Sequence, residues 1–379
     1  MNQASGLTRG EFLLGAPAMA AGGARAMKKI KDVVIYRDER FHSAFPSIVR
    51  RRDGELIVAF RRAPDRRKTG APGVTHTDPN SQLVLVRSKD GGSTWSSEPE
   101  LIYAHPEGGS QDPCMIALRD GTLLCASYWW YQMPVVKDPK TAKQPFEFMG
   151  GYIVRSRDWG RTWQTPVLPP PTPGVERKDP FGRLLPSYNR GAMCQGKDGR
   201  IYWAVAHQNQ WGCTSISLMI SADGGTTWKY SCPIAEDQKI TFNETSLYET
   251  AKGDLIAFVR TANFDDHTVV VRSTNGGKSF GKWEDAGWQG HPHHAVRMAD
   301  GRVWLVYGYR HKLYGIRARI LNAECTDIAQ TQEIVLRDDG GSTDLGYPWA
   351  MVLPGGQILS VYYFNEDNGP RYIGGTLWG

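Results

Sequence analysis

Polar side chains capable of acid–base or metal-binding chemistry cluster just before several predicted strands. The densest cluster is Gly290-His291-Pro292-His293-His294. A histidine titrates near neutral pH and can carry a proton or contact a ligand. In extended backbone His293 and His294 point to opposite faces, so at most one of them can share a side with His291. A three-histidine metal site would need a bend here, and we predict a single functional histidine, no metal and no cofactor.

Two other segments repeat this layout of polar residues followed by a strand. They read Ser110-Gln111-Asp112-Pro113 and Ser187-Tyr188-Asn189-Arg190-Gly191. Asp112 and Arg190 are therefore candidate binding residues. An aspartate before a proline is equally typical of a turn cap, so that alternative stays open for Asp112.

Composition and charge indicate a globular protein and argue against a nucleic-acid-binding protein or a disulfide-stabilised scaffold. The chain has 379 residues, 40% of them hydrophobic and 22% charged, which is typical of a globular protein. Its net charge of +6 is scattered in short runs, which argues against nucleic acid as a partner. Six cysteines are too few for a disulfide scaffold, although Cys114 and Cys125 flank a turn and are either bridged or merely packed.

The first 26 residues are predicted to be an export signal rather than part of the fold. A polar start is followed by an apolar stretch from Phe12 to Ala21 and by Ala24-Arg25-Ala26, which resembles a cleavage site. The segment 8–13 resembles a twin-arginine signal in which Gly10 replaces one arginine. We expect a periplasmic or secreted protein, and no other segment is apolar enough to predict a membrane span.

A motif of eight residues recurs four times. The copies begin at Ser88, Ser156, Ser221 and Ser273 and follow the pattern S-x-[DN]-x-G-x-[ST]-[WF]. The short polar side chain bonds to the local backbone and glycine supplies a positive φ, so each copy predicts a hairpin turn with an aromatic residue packed beneath it.

A second repeat, a turn followed by an alternating strand, appears six times. Its first glycines lie at positions 54, 121, 199, 253, 301 and 355. Units of roughly 40–80 residues made of short strands are typical of propeller blades. The sequence therefore predicts an all-β, six-bladed β-propeller of four-stranded antiparallel blades over residues 28–379.

The four-fold motif is the Asp-box, and with this spacing the chain resembles the sialidase superfamily. The resemblance implies a tyrosine nucleophile, a glutamate partner, an aspartate acid/base and three arginines at one mouth of the propeller. The Asp-box itself lies on the outer rim of such folds and carries no information about activity.

Four segments match the functional segments of that family in the correct order. Asp344-Leu345-Gly346-Tyr347-Pro348 resembles the nucleophile segment, and Phe242-Asn243-Glu244-Thr245 resembles the glutamate segment that precedes Arg260. The loop from His76 to Ser81 resembles the one with the acid/base aspartate, here Asp78, and Tyr309-Arg310 occupies the place of the third arginine. A phenol is a weak nucleophile until a base such as Glu244 accepts its proton, and Asp78 would protonate the leaving oxygen.

One position departs from the family pattern. Where sialidases have Arg-Ile-Pro, this chain has Ala44-Phe45-Pro46, and alanine cannot clamp a carboxylate. Arg61 or Arg62, at the end of the next predicted strand, is the candidate replacement. Trp129 and Trp130 either form a wall on which a sugar stacks or serve in propeller packing.

The sequence thus predicts an exported, exo-acting glycoside hydrolase that removes a terminal sugar, acidic or from a complex polysaccharide. No obligate protein partner is evident. Two alternatives stay open: a polysaccharide lyase using histidine, tyrosine and arginine on a uronic-acid glycan, and a non-catalytic carbohydrate-binding propeller. The predicted catalytic residues are Tyr347, Glu244 and Asp78, and the predicted binding residues are Arg260, Arg310, Arg190, Arg61, His76, Asp112, His291 and His293.

Overall fold

A computed structural model describes residue 1 and residues 27–69, 76–132, 146–174 and 177–379. Over this part of the chain, six antiparallel sheets form the blades of a propeller, which confirms the predicted fold. First strands of neighbouring blades contact one another along most of the ring. The export signal predicted over residues 1–26 lies outside the described residues, apart from Met1.

The strands are numbered in chain order, and β1 (Lys29–Tyr36) precedes the first complete blade. That blade contains β2 (Phe41–Arg50), β3 (Leu56–Pro64), β4 (Gln82–Ser88) and β5 (Glu100–Tyr103). The second contains β6 (Gly109–Ser110), β7 (Cys114–Ala117), β8 (Leu123–Gln132) and β9 (Phe146–Ser156). The third contains β10 (Cys194–Gln195), β11 (Ile201–Gln208), β12 (Thr214–Ser221) and β13 (Lys229–Ala235).

The fourth blade contains β14 (Phe242–Glu249), β15 (Leu255–Thr261), β16 (His267–Ser273) and β17 (Glu284–Gln289). The fifth contains β18 (His293–Arg297), β19 (Val303–Tyr309), β20 (Gly315–Leu321) and β21 (Ile334–Arg337). The sixth contains β22 (Gly346–Val352), β23 (Ile358–Phe364) and β24 (Tyr372–Trp378). Two single-turn 3₁₀ segments, Arg66–Thr69 and Ile328–Gln330, interrupt the loops.

The ring is closed by the two ends of the propeller. Strand β1 pairs antiparallel with β24 and becomes the outer strand of the sixth blade. A hydrogen bond of 2.7 Å from Thr376 Oγ1 to Asp32 Oδ1 reinforces this pairing.

The repeated glycines occupy the turns for which they were predicted. All six lie between the first and second strands of a blade, with φ between 84° and 102°. A residue with a Cβ is strained in this region of φ, so the repeat reflects the geometry of the turn. The Asp-boxes follow the third strands of four blades and therefore lie at the same end of the blades as these turns. In the first copy, Asp90 accepts hydrogen bonds from the backbone nitrogens of Ser93 and Thr94.

The second blade is the least regular. Its first strand is split into β6 and β7, which both pair with β8, and its outer position is reduced to a bridge between Ile153 and Val167. Cys114 and Cys125 lie on β7 and β8 as free thiols and belong to different core clusters. They are packed rather than bridged.

Among the described residues, no helix is long and apolar enough to cross a bilayer.

Candidate active site

The antiparallel blades bring distant polar residues to one mouth. The first strand of each blade begins at the end where the second strand finishes, opposite the glycine turns. Glu244 lies near the start of β14 and Tyr347 near the start of β22, while Arg260 lies near the end of β15. Arg310 directly follows β19.

Tyr347, Glu244 and Arg260 form a continuous hydrogen-bonded group. The hydroxyl of Tyr347 donates to Glu244 Oε1 over 2.5 Å. Arg260 Nη1 lies 2.9 Å from each carboxylate oxygen of Glu244 and 3.0 Å from the Tyr347 hydroxyl oxygen. The structure thus brings together three of the residues that the sequence predicted for one mouth.

The charges of this group favour a protonated phenol beside an ionised carboxylate. Burial opposes the ionisation of Glu244, but Arg260 and the Tyr347 hydrogen bond outweigh it and lower its pKa to about 2. Burial and the charge of Glu244 raise the pKa of Tyr347, against the effect of Arg260 and Arg310. The proton therefore rests on Tyr347 at neutral pH, and the ionised Glu244 lies within hydrogen-bonding distance of it.

A distortion shared by several first strands aims side chains into the mouth. The register shifts between Phe242 and Thr245 in β14, and between Gly346 and Trp349 in β22. Tyr347 itself has φ of +50°, a region that costs free energy for a residue with a Cβ. A bulge re-aims a side chain at the edge of a sheet, and here the bulges carry Glu244 and Tyr347.

The first strand of the first blade has the same irregularity. The register shifts between Ala44 and Ser47 in β2, and Phe45 has φ of +59°. The Phe45 ring meets the Tyr347 ring edge-on with centroids 4.7 Å apart. Ala44, by contrast, is fully buried in the core.

Two of the predicted arginines contact the Tyr347 ring. The Arg310 guanidinium carbon lies 5.2 Å from the ring centroid, and its Nη2 donates to Leu345 O over 3.0 Å. Arg190 is buried, with its guanidinium carbon 5.4 Å from the same centroid and its Nη2 donating to Pro46 O over 3.0 Å. The positive charge of Arg310 favours negative charge on the Tyr347 oxygen.

Asp112 and Arg61 are buried beside this group. Burial raises the pKa of Asp112 to about 6, although Arg190 and Arg61 oppose that shift. Burial likewise lowers the pKa of Arg61 to about 10, against the effect of Asp112. Asp112 Oδ1 is buried and has no hydrogen-bond partner in the part of the chain that the structure describes.

A cavity of about 640 Å³ extends from Glu244 and Asp112 across the second and third blades. Trp130 lines it together with Tyr128 and Phe148, whereas Trp129 is buried and stacks on His105 with centroids 3.9 Å apart. Of the two tryptophans, Trp130 therefore belongs to the cavity wall and Trp129 to the packing.

Asp78 is buried in an ion pair with Arg66. Arg66 Nε lies 2.5 Å from Asp78 Oδ2, and Arg66 Nη2 lies 3.2 Å from Oδ1. No hydrogen bond found among the described residues joins Asp78 to Tyr347 or Glu244. The role predicted for Asp78 therefore requires that Arg66 gives way to a substrate.

The three histidines of the fifth blade do not converge. His291 Nε2 lies 3.2 Å from Asp266 Oδ1, and burial lowers the pKa of His291 to about 4. His293 Nε2 lies 2.8 Å from Thr268 Oγ1, while His294 Nδ1 accepts a hydrogen bond from the Ala350 nitrogen. Each of the three rings therefore has a separate partner.

A group around Asp344 was not predicted from the sequence. Asp344 Oδ2 lies 3.2 Å from His42 Nε2 and 2.8 Å from Arg371 Nε. Its Oδ1 lies 3.1 Å from His76 Nε2 and accepts a hydrogen bond of 3.0 Å from the Tyr363 hydroxyl. The two histidines are distant from Asp344 in the chain. The signals in the sequence were the prediction of His76 as a binding residue and the place of Asp344 in the segment that contains Tyr347.

Comparisons with known proteins agree with this architecture. A family model described as "BNR repeat-like domain" matches residues 130–359. A protein of unknown function from Dyadobacter fermentans is 53% identical, covering 94% of this chain and 99% of its own, with a TM-score of 0.89. No curated protein matches the chain.

Two sialidases share the fold at low identity. The K499G mutant of the NanB sialidase from Streptococcus pneumoniae is 13% identical over 91% of this chain and 70% of its own, with a TM-score of 0.65. The Trypanosoma rangeli sialidase, in a covalent intermediate with 2,3-difluorosialic acid, is 15% identical over 93% of this chain and 58% of its own, with a TM-score of 0.61.

Proposed function

Since the chain belongs to the BNR repeat-like domain family and folds as a sialidase-like propeller, we propose that it is an exo-acting glycoside hydrolase. It removes a terminal sugar from a glycan or polysaccharide by way of a covalent bond to Tyr347. The observation that carries the proposal is the hydrogen bond of 2.5 Å between the Tyr347 hydroxyl and Glu244. The segment over residues 1–26 supports export to the periplasm or the exterior.

The first chemical step uses Tyr347, Glu244 and Asp78. The Tyr347 oxygen forms a bond to the anomeric carbon as the bond from that carbon to the leaving oxygen breaks. Glu244 accepts the phenol proton. Once the substrate has displaced Arg66, protonated Asp78 gives its proton to the leaving oxygen. A tyrosine nucleophile is the known exception to the rule that glycosidases use two carboxylates.

The second step restores the enzyme. Asp78 takes a proton from water, whose oxygen bonds to the anomeric carbon as the bond to Tyr347 breaks. Glu244 then returns its proton to Tyr347. Arg260 supports both steps, because it donates hydrogen bonds to the Glu244 carboxylate and to the Tyr347 oxygen, which carries negative charge as it forms and leaves the covalent bond.

The substrate differs from an ordinary sialoside. Ala44 supplies no charge and is fully buried, so the arginine that the family resemblance led us to expect has no counterpart at this position. Arg310 and Arg260 remain at the mouth, and Asp112 lies in the wall of the adjoining cavity. We propose a terminal sugar, acidic or from a complex polysaccharide, whose remaining chain lies in the cavity beside Trp130.

A screen of the full chain against anionic and neutral glycans tests the reaction class. We expect a reducing sugar as product, without absorbance in the near ultraviolet, and slow turnover of chromogenic sialosides. An unsaturated, ultraviolet-absorbing product would instead establish the lyase alternative. Binding of glycans without any product would establish a carbohydrate-binding propeller.

The roles of Asp78 and Asp112 can be distinguished with two glycosides of the sugar that the screen identifies, which differ only in their leaving group. Asp78→Asn is expected to slow hydrolysis of an alkyl glycoside by about 10³-fold. The same variant should keep a kcat/KM for a dinitrophenyl glycoside close to that of the wild type, because that leaving group needs no proton and because kcat/KM does not include the second step, in which Asp78 also acts. Asp112→Asn, the matched control, should slow both substrates by the same factor. The reverse pattern would transfer the acid/base role to Asp112.

A further inference from the structure

Three side chains with metal-binding atoms converge at the edge of the mouth. His42 Nε2, His76 Nε2 and an Asp344 carboxylate oxygen all lie within 4.8 Å of one another. They come from the start of β2, from the segment before β4 and from the residue two positions before β22. It is the one such group of three among the described residues, and none of the fifth-blade histidines belongs to it.

We propose that His42, His76 and Asp344 bind a divalent transition-metal ion of the zinc class. Two imidazole nitrogens and one carboxylate are a ligand set that zinc commonly uses with a fourth position left open. The histidine nitrogens lie 3.2 Å and 3.1 Å from the two Asp344 oxygens. A metal ion between these atoms would need only small shifts of the three side chains.

The surroundings of the group resemble the outer shell of a metal site. The Tyr363 hydroxyl and Arg371 Nε donate to the Asp344 carboxylate, and Asn365 Nδ2 donates to the Asp344 carbonyl oxygen. Such hydrogen bonds orient ligating carboxylates. The positive charge of Arg371 opposes a cation, so we expect micromolar rather than tighter binding.

The accessibility of the three residues leaves one side open to a ligand. His42 is 1% exposed and Asp344 24% exposed, whereas the His76 side chain is 51% exposed. The His76 ring lies 5.4 Å from the Phe45 ring, which in turn contacts Tyr347. The open position therefore adjoins the mouth and can take water or an oxygen of a bound anion.

The test is direct metal binding by the full chain after treatment with a chelator. We expect one equivalent of Zn²⁺ to bind by titration calorimetry, and Co²⁺ in its place to give the strong visible absorption of a four-coordinate site. His76→Ala should weaken binding by more than about 100-fold, since even outer-shell changes cost 10–100-fold. His42→Ala should do the same.

Two controls show whether a loss of metal binding is due to unfolding. The binding measurement itself needs no substrate, so it does not depend on the proposed glycoside hydrolysis. His267→Ala removes a histidine that also pairs with a carboxylate, Asp285, and should leave metal binding unchanged. Because His76 is half exposed, His76→Ala should unfold at the temperature of the wild type. Absence of stoichiometric Zn²⁺ binding, or binding that His76→Ala leaves intact, would overturn the proposal and leave a hydrogen-bonded cluster.

Discussion

The Tyr347→Phe variant is expected to lose turnover by on the order of 10⁴–10⁶-fold while its melting temperature stays close to that of the wild type. The substitution removes the oxygen that forms the covalent bond, but it keeps the ring against Phe45 and Arg310. Initial rates on the sugar identified by the screen measure the loss. A glycosyl fluoride of that sugar with a second fluorine on the carbon next to the anomeric carbon should label Tyr347 in the wild type and should not label the variant.

A second tyrosine provides the matched control. The Tyr202 hydroxyl donates to Asp198 Oδ2 over 2.7 Å, and both residues belong to the third blade near its glycine turn, away from the mouth. Tyr202→Phe should retain wild-type turnover. Retention of turnover by Tyr347→Phe would show that Tyr347 is structural and would return attention to the lyase alternative.

The Glu244→Gln variant is expected to lose both turnover and stability. Without a base for the phenol proton, turnover should fall by about 10³-fold. Removing one partner of a buried ion pair costs about 3–5 kcal/mol. Because the side chains of Arg260 and Glu244 are 18% and 16% exposed, we expect a somewhat smaller loss of about 2–3 kcal/mol in the free energy of unfolding, measured by urea denaturation.

The pH dependence of this stability loss follows from the pKa of Glu244. Because the folded-state pKa is depressed to about 2, the contribution of the carboxylate is fully present above its ordinary value near 4.5 and is lost as the pH falls toward 2. The difference between wild type and variant should therefore shrink over that window. Glu249→Gln, at the other end of β14, removes a carboxylate that accepts from the Lys197 nitrogen and should preserve turnover. A constant stability difference from pH 7 to pH 2 would contradict the assigned ion pair.

The fold was predictable because its signals are local and repeated. Each blade needs a tight turn between its first two strands, and glycines such as Gly54 and Gly301 occur there because few other residues tolerate the required φ. Such a turn involves only a few neighbouring residues, so it can be predicted from the sequence without knowing which distant residues contact each other. The split first strand of the second blade leaves no such signal, and it was not predicted.

Site residues could be predicted only where segments of the chain resemble the functional segments of sialidases in the same order. Tyr347, Glu244 and Arg260 were placed together through their order along the chain, and the structure brings them into contact. The burial of Arg190 beneath the Tyr347 ring depends on how Pro46 and Trp349 pack, which spacing does not encode.

The group around Asp344 was missed for a similar reason. His42 lies 302 residues from Asp344 and His76 lies 268 residues from it. Their meeting depends on closure of the ring between the first and sixth blades. No local pattern in the sequence indicates that these residues contact one another.

The closure of the ring by β1 also determines when the mouth can form during synthesis. Residues 29–36 must wait for residues 372–378, so the sixth blade, which carries Tyr347, is completed only after residues 372–378 have left the ribosome. Contacts of such long sequence separation form late because loop closure must precede them. Glu244 and Arg260, within one blade, can already be paired by then. The appearance of activity during refolding would therefore report the last event of folding. Most of the tryptophan fluorescence would report the earlier blades, although Trp349 and Trp378 lie in the sixth blade.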